Sequence, residues 1–318
     1  MMTTAGYPKL LEEGLREVLN QTMMKTPTYY PQYMKVFTSK KNTEVDFDYA
    51  AGNPFAQVAS DNSTTPYLDI TNGYQTTYTH YTYKGGEEIT RQMMDDDLYN
   101  VMDEAMSRLG KNAVEFLDKA CASVLIHAFS TSYTSYGDGK PLCSTSHTRA
   151  DGGTAQSNAS STSIPLTEAN LEVGLLALQE VKDNAGGLIN VGMGRVKLII
   201  PPALRKPALI ITESELRSNT AANDLNVYYS GKYNLELLVL PWSSARAGGS
   251  DTAWFLQSEE HSMKLFIRVP VEFKTEQGSG TTFDTDSLKF KGYGRCSTGW
   301  SGFLGLWGSQ GTGAAYAS

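Results

Sequence analysis

The chain has 318 residues, 27 Lys and Arg against 34 Asp and Glu, and a formal net charge of −7. An acidic chain with no Lys/Arg run longer than two residues does not grip nucleic acid over a wide surface, because phosphate contacts need clustered cations. Charged residues are only 19 %, and Thr, Ser, Gly, Asn and Tyr take their place, a strand-and-turn composition that excludes a purely helical protein.

Three cysteines, Cys121, Cys143 and Cys296, make no disulfide framework and suit a reducing compartment. The first twenty residues carry charges throughout, so no signal peptide is expected. No apolar run approaches the roughly 20 residues that cross a bilayer.

In chain order, residues 8–24 place Leu11, Leu15, Val18, Leu19 and Met23 at helical spacing. The tract after them, with two prolines and many tyrosines, is a poor helix. "TEVDFDYA" alternates Val45, Phe47 and Tyr49 with acids and predicts a strand with one apolar face. A turn-rich loop follows, then "YQTTYTHYTYKGG", almost pure strand former. Residues 36–86 therefore read as a hairpin-like excursion. A lone two-stranded ribbon is marginal in water, so it is expected to lie against its own body or a neighbouring subunit.

Residues 96–129 carry the strongest helical pattern, from three aspartates at the start through Leu98, Leu109 and Leu117 to Leu125. A helix of that length spans roughly 50 Å, a structural beam that Gly110 is expected to bend. A Ser/Gly-rich tract at 151–165 reads as a surface linker. A further helix is expected from a Thr167 cap to Gly186. "VKLIIPP" predicts a buried strand and "ALRKPALIITES" a short helix. "YNLELLVLPW", "TAWFLQS", "MKLFIRVPVEFKTE" and "SLKFKGYGRCSTGWSGFLGLWG" supply further strands. Helices and strands mix, which is α+β.

Chemistry-bearing patterns are few. Cys143 and His147 lie four apart in "GDGKPLCSTSH", the one place a cysteine hydrolase could be sought. The Gly and Pro there exclude a helix that would bring the two side chains together, and no third group orients the histidine, so a turn is the favoured reading. No His/Cys set has zinc-ligand spacing, and no phosphate-binding glycine loop or nucleophile elbow is present. No catalytic, cofactor-binding or metal residue is therefore expected, and no cofactor. The positive signal is Tyr29, Tyr30, Tyr33, Tyr74, Tyr78, Tyr81 and Tyr83 around the excursion. Tyr is enriched at protein–protein interfaces, and these seven are the candidate inter-subunit contacts.

The order of parts, a short arm, a long β-excursion, a very long helix and a mixed remainder, resembles the major capsid proteins of tailed bacteriophages with the Hong Kong 97-like fold. "DGKPLCSTSH" (138–147), "LIIPPALRKPALIITES" (198–214), "NDLNVYYSGKYNLELLVLPW" (223–242) and "STGWSGFLGLWGSQG" (297–311) are similar to segments of the Mu-like major head subunit group.

The resemblance implies an N-terminal arm over 1–35, an extended β-hairpin loop over 36–90 and a spine helix with a peripheral-domain segment over 91–165. It implies an axial domain over 166–260 and return strands of the peripheral domain over 261–318. It further implies hexamers and pentamers in an icosahedral shell around double-stranded DNA held without sequence-specific contact, with scaffolding, portal and decoration proteins as further partners. The implied location is the virion, assembled in the bacterial host cytoplasm, with no membrane. About thirty residues before the excursion are too few for a folded scaffold domain, so a separate scaffold or none is expected. The turn 185–194 and the loop 218–231 are candidates for the hexamer centre. An encapsulin-like shell is the alternative on the same fold.

Overall fold

Apolar periodicity and capping residues set most element boundaries in the computed structural model, which describes residues 8–50, 71–90, 92–93, 101–150, 152–182, 187–189, 191–216, 225–229, 233–276 and 287–312. The aspartates at 95–97 and the excursion tip at 51–70 lie outside them, as do most of the loop 218–231 and part of the turn 185–194. The chain divides into two units, each built from several segments.

The first unit comprises residues 1–42, 79–121 and 265–297. Helix α1, Pro8–Lys25, carries Leu15 and Leu19, and helix α2, Val101–Ile126, carries Met102, Met106 and Leu109. These side chains form one core with Ile89, Leu288 and Phe290. The last three belong to a four-stranded sheet ordered β1-β8-β9-β4, whose strands are β1 (Lys35–Thr38), β4 (Tyr81–Thr90), β8 (Met263–Glu276) and β9 (Ser287–Trp300). Strands β4 and β9 pair antiparallel from Tyr81 opposite Cys296 to Thr90 opposite Ser287.

Helix α2 runs through Gly110 unbroken. The role of this glycine is close approach: a Cβ there would lie 2.8 Å from the carbonyl oxygen of Leu19 on α1. Glycine lets the two helix backbones meet where any side chain would hold them apart.

The second unit comprises residues 43–78, 122–264 and 298–318. Its four-stranded sheet is ordered β10-β7-β5-β6, with β5 at Val196–Ile200, β6 at Leu235–Val239, β7 at Trp254–Ser258 and β10 at Leu306–Ser309. The pair β5 and β6 is parallel and the other pairs are antiparallel. A parallel pair needs a crossover connection, and helix α4, Arg205–Glu213, lies within it. Pro207 is tolerated because first-turn N–H groups have no helical acceptor.

Helix α3, Glu168–Gln179, starts on Thr167, whose hydroxyl accepts the N–H of Asn170 at 3.3 Å. It ends at Glu180, earlier than the glycine signal at 186 suggests, because Lys182 turns into a β-bridge with Leu188. Leu171, Leu175 and Leu178 pack on Leu198, Ile200, Leu256, Trp254 and Trp307. A Cβ on Gly174 would fall 2.7 Å from Leu256 and 2.9 Å from Trp307, so glycine seats the helix on the sheet.

The excursion is narrower than its alternation suggests. Only β2 (Thr43–Ala50) and β3 (Thr71–Thr79) pair with each other, while β4 joins the four-stranded sheet of the first unit. Strands β9 and β10 also part company, each entering a different sheet.

Candidate functional site

The stretch 137–147 folds as a buried polar knot in the second unit. Gly139 turns with φ 70°, and the N–H of Lys140 donates to Asp138 Oδ1 at 2.9 Å. The N–H of Cys143 donates to the carbonyl of Ala128 at 2.8 Å, tying the loop to the residues just past α2. His147 is fully buried, with Nδ1 2.6 Å from Asp138 Oδ2 and Nε2 3.2 Å from Asn158 Oδ1. Its ring stacks on Phe303, centroids 4.1 Å apart and planes within 3°. Asn158 Oδ1 also accepts the N–H of Ser144, and its amide donates to the carbonyl of Leu142.

Both ring nitrogens thus face oxygens, and neither is left for the thiol. Burial pushes the Cys143 thiol up, which keeps it protonated and a poor nucleophile. The Cys143/His147 pair that a hydrolase needs is not formed. Asp138 does orient His147, a role the sequence concealed: an acid in a Asp-Gly turn nine residues upstream has no spacing signature. What the cluster does chemically is satisfy buried polar groups where the chain leaves the long helix, and an unsatisfied group there would cost about 1–3 kcal/mol.

The seven tyrosines are not brought together. Tyr33 is fully buried in the first unit, where burial first, then Cys121 and Asp118, pushes its phenol up. Tyr78 is buried in the second unit, and burial and the Asp46 carboxylate raise its phenol likewise. Both rings are spent on the core of their own unit.

Tyr29 and Tyr30 are half-buried, their N–H groups donating to Asp118 Oδ1 at 2.9 and 2.8 Å, which pins the chain after α1 to α2. Tyr74 packs edge-on to Tyr136 at 5.2 Å and its hydroxyl lies 3.0 Å from Thr148 Oγ1. Tyr83 sits at 4.9 Å from the Phe116 ring yet keeps an exposed edge, and Tyr81 is 66 % exposed.

The ribbon β2–β3 turns its faces opposite to the hydrophobic rule. Asp46 pairs with Lys264 at 2.7 Å, and Asp48 accepts the Tyr136 hydroxyl at 2.6 Å, so the acidic side of β2 faces its own unit. Val45 and Phe47, on the alternate positions, are exposed. On β3, Thr76 and Tyr78 are buried while Gln75 and Thr77 point out. The outward face is therefore uncharged: apolar on β2, threonine and glutamine on β3.

A family model described as phage capsid protein matches residues 73–307, a span that runs from β3 into β10. No curated protein matches the sequence. Among solved structures, the chain is similar to the virus-like particle from Pyrococcus furiosus, at 10 % identity and TM-score 0.55 over 93 % of this chain and 98 % of that one. It is similar to the capsid of Cyanophage P-SCSP1u, at 12 % identity and TM-score 0.54 over 92 % and 89 % of the two chains. It is also similar to the capsid of Myoviridae Phage XM1, at 11 % identity and TM-score 0.52 over 87 % and 89 %. At these identities the likeness is one of fold. An α+β chain whose one reactive-looking loop is a structural knot, and whose matched span covers most of both units, belongs to the phage capsid protein family.

Proposed function

We propose that the chain is the major capsid protein of a tailed bacteriophage, with the Hong Kong 97-like subunit fold and akin to the Mu-like major head subunit group. The observation that carries this is the family match over residues 73–307. In this reading residues 1–35 are the arm, 36–90 the extended loop, 91–165 the spine helix with a peripheral segment, 166–260 the axial domain and 261–318 the return strands. Copies assemble into hexamers and pentamers of an icosahedral shell around double-stranded DNA, held without sequence-specific contact. Scaffolding, portal and decoration proteins are its further partners, and the mature location is the virion. Of the seven candidate tyrosines, Tyr81 and Tyr83 are the ones with exposed rings to offer a neighbour.

Electron microscopy of the purified protein tests this. Uniform icosahedral particles, or free hexamers and pentamers, are the expected result. A stable monomer at high concentration would sink it. The likeness to the Pyrococcus furiosus virus-like particle, which spans 98 % of that chain, favours a second reading, an encapsulin-like compartment. The contents of particles isolated from the natural source separate the two: packaged double-stranded DNA for a virion, a protein cargo for a compartment.

A further inference from the structure

Several exposed charges of this chain pair within it: Arg108 with Glu87, Arg195 with Glu236, Lys274 with Glu272 and Lys289 with Glu88. Other exposed charges have no such partner, those of helix α4 among them. Arg205 and Lys206 open it, Glu213 closes it and Glu215 lies just beyond; all four are exposed, and among the described residues none has an ionic partner. Their placement also opposes the helix itself. The N-terminal end of a helix carries partial positive charge and the C-terminal end partial negative, so each of these side chains sits at the end that repels it. A local choice that conflicts with its own element points to a compensating partner.

The geometry of the helix says which one. Ala208 is buried on the sheet, and the opposite face is open. Lys206, Ile210 and Glu213 follow each other at the spacing of one helix face, with Ile210 41 % exposed between the two charged ends. A shallow groove runs along this face past Pro202, Leu209 and Ser214. From basic end to acidic end is about 10 Å at 1.5 Å per residue. A nucleic acid fits only the basic end, and a partner of one sign relieves one end and leaves the other.

We propose that this face is a head-to-tail contact between copies of this chain. The acidic end of α4 in one copy meets the basic end of α4 in the next. Two further copies, one at each end, supply the two complements, and a head-to-tail contact is the kind that closes into rings. The inference rests on the capsid reading, in which copies form such rings.

The test reverses the charges one end at a time. Glu213→Lys with Glu215→Lys makes both ends basic, and Arg205→Glu with Lys206→Glu makes both acidic. Each is expected to lose the particles or rings that the parent forms at the same protein and salt concentration. The fourfold reversal carries both changes on one chain, so every contact again joins opposite charges, and it restores assembly. Folding is not at risk, since each reversal moves a charge toward agreement with the helix dipole; far-UV circular dichroism checks this. If the parent assembles and either one-end reversal assembles equally well, the contact is wrong while the capsid reading stands. If both one-end reversals fail and the fourfold reversal fails too, α4 meets something other than α4, and the proposal is overturned. A parent that stays monomeric at every salt concentration removes the capsid reading and this contact with it.

Discussion

Asp118 is a buried carboxylate with only one of its two oxygens satisfied. Its Oδ1 accepts two N–H groups, while Oδ2 is buried with no hydrogen bond. Burial raises its carboxyl above the ordinary value of 3.8, against the pull of the two backbone donors, and Glu115 adds to the rise. A group raised in the folded state lends stability that is fully present below its ordinary value and is lost as pH rises through the raised one. Asp118→Asn keeps an accepting oxygen without the buried charge and removes that loss. Its denaturation midpoint should therefore gain on the parent's as pH rises from about 4 to about 7. Asp118→Ala leaves the N–H groups of Tyr29 and Tyr30 without their acceptor and should cost about 1–3 kcal/mol throughout. Urea titrations at several pH values read both; an Asn variant that runs parallel to the parent would show that the carboxyl is not held under strain.

At the scale of elements, Gly110 separates two readings of one residue. An exposed helix interior gains roughly 1 kcal/mol from Gly→Ala. Here the added methyl meets the backbone of α1 at 2.8 Å, and a backbone cannot swing aside as a side chain can. Gly110→Ala should therefore destabilise the protein, by about 1–3 kcal/mol as in other overpacked sites, read from the denaturant midpoint. A more stable variant would mean that α1 does not approach so closely. Local pattern made much of this level legible: the 8–24 periodicity is α1, "TEVDFDYA" is β2 and Thr167 caps α3. Two things were not legible. Strand β4 pairs with β9, some two hundred residues later in the sequence, and no local pattern names a distant partner. The inward face of β3 was also hidden, because tyrosine and threonine alternate there and either face could be the buried one. A strand's faces swap with a one-residue change of register, so the sequence alone did not say which way Tyr74 and Tyr78 point. The Asp138–His147 contact escaped for another reason: it is made by a turn and not by a repeat.

Over the whole molecule, scattered exposed apolar side chains are ordinary and carry little meaning singly. Val45 and Phe47 differ because the ribbon cannot hide them by turning over. Rotating β2 would expose Val45 and Phe47 no longer, but it would break the Asp46–Lys264 pair and the Asp48–Tyr136 hydrogen bond together. The carboxylates hold the strand acid-side in, and only another surface can cover the apolar side. If the chain builds a shell, as proposed, a neighbouring copy would be that surface and the contact would repeat at every subunit. Phe47→Ser should then leave the folded chain almost as stable as the parent, within about 0.5 kcal/mol, because the ring is 55 % exposed. Assembly should respond far more. A loss of about 1.4 kcal/mol per subunit is tenfold in an association constant, so the protein concentration at which particles first form should rise about tenfold or more. Light scattering across a dilution series measures that threshold. An unchanged threshold, with the fold intact, would show that the outward face of the ribbon stays in water and that neighbouring subunits meet elsewhere.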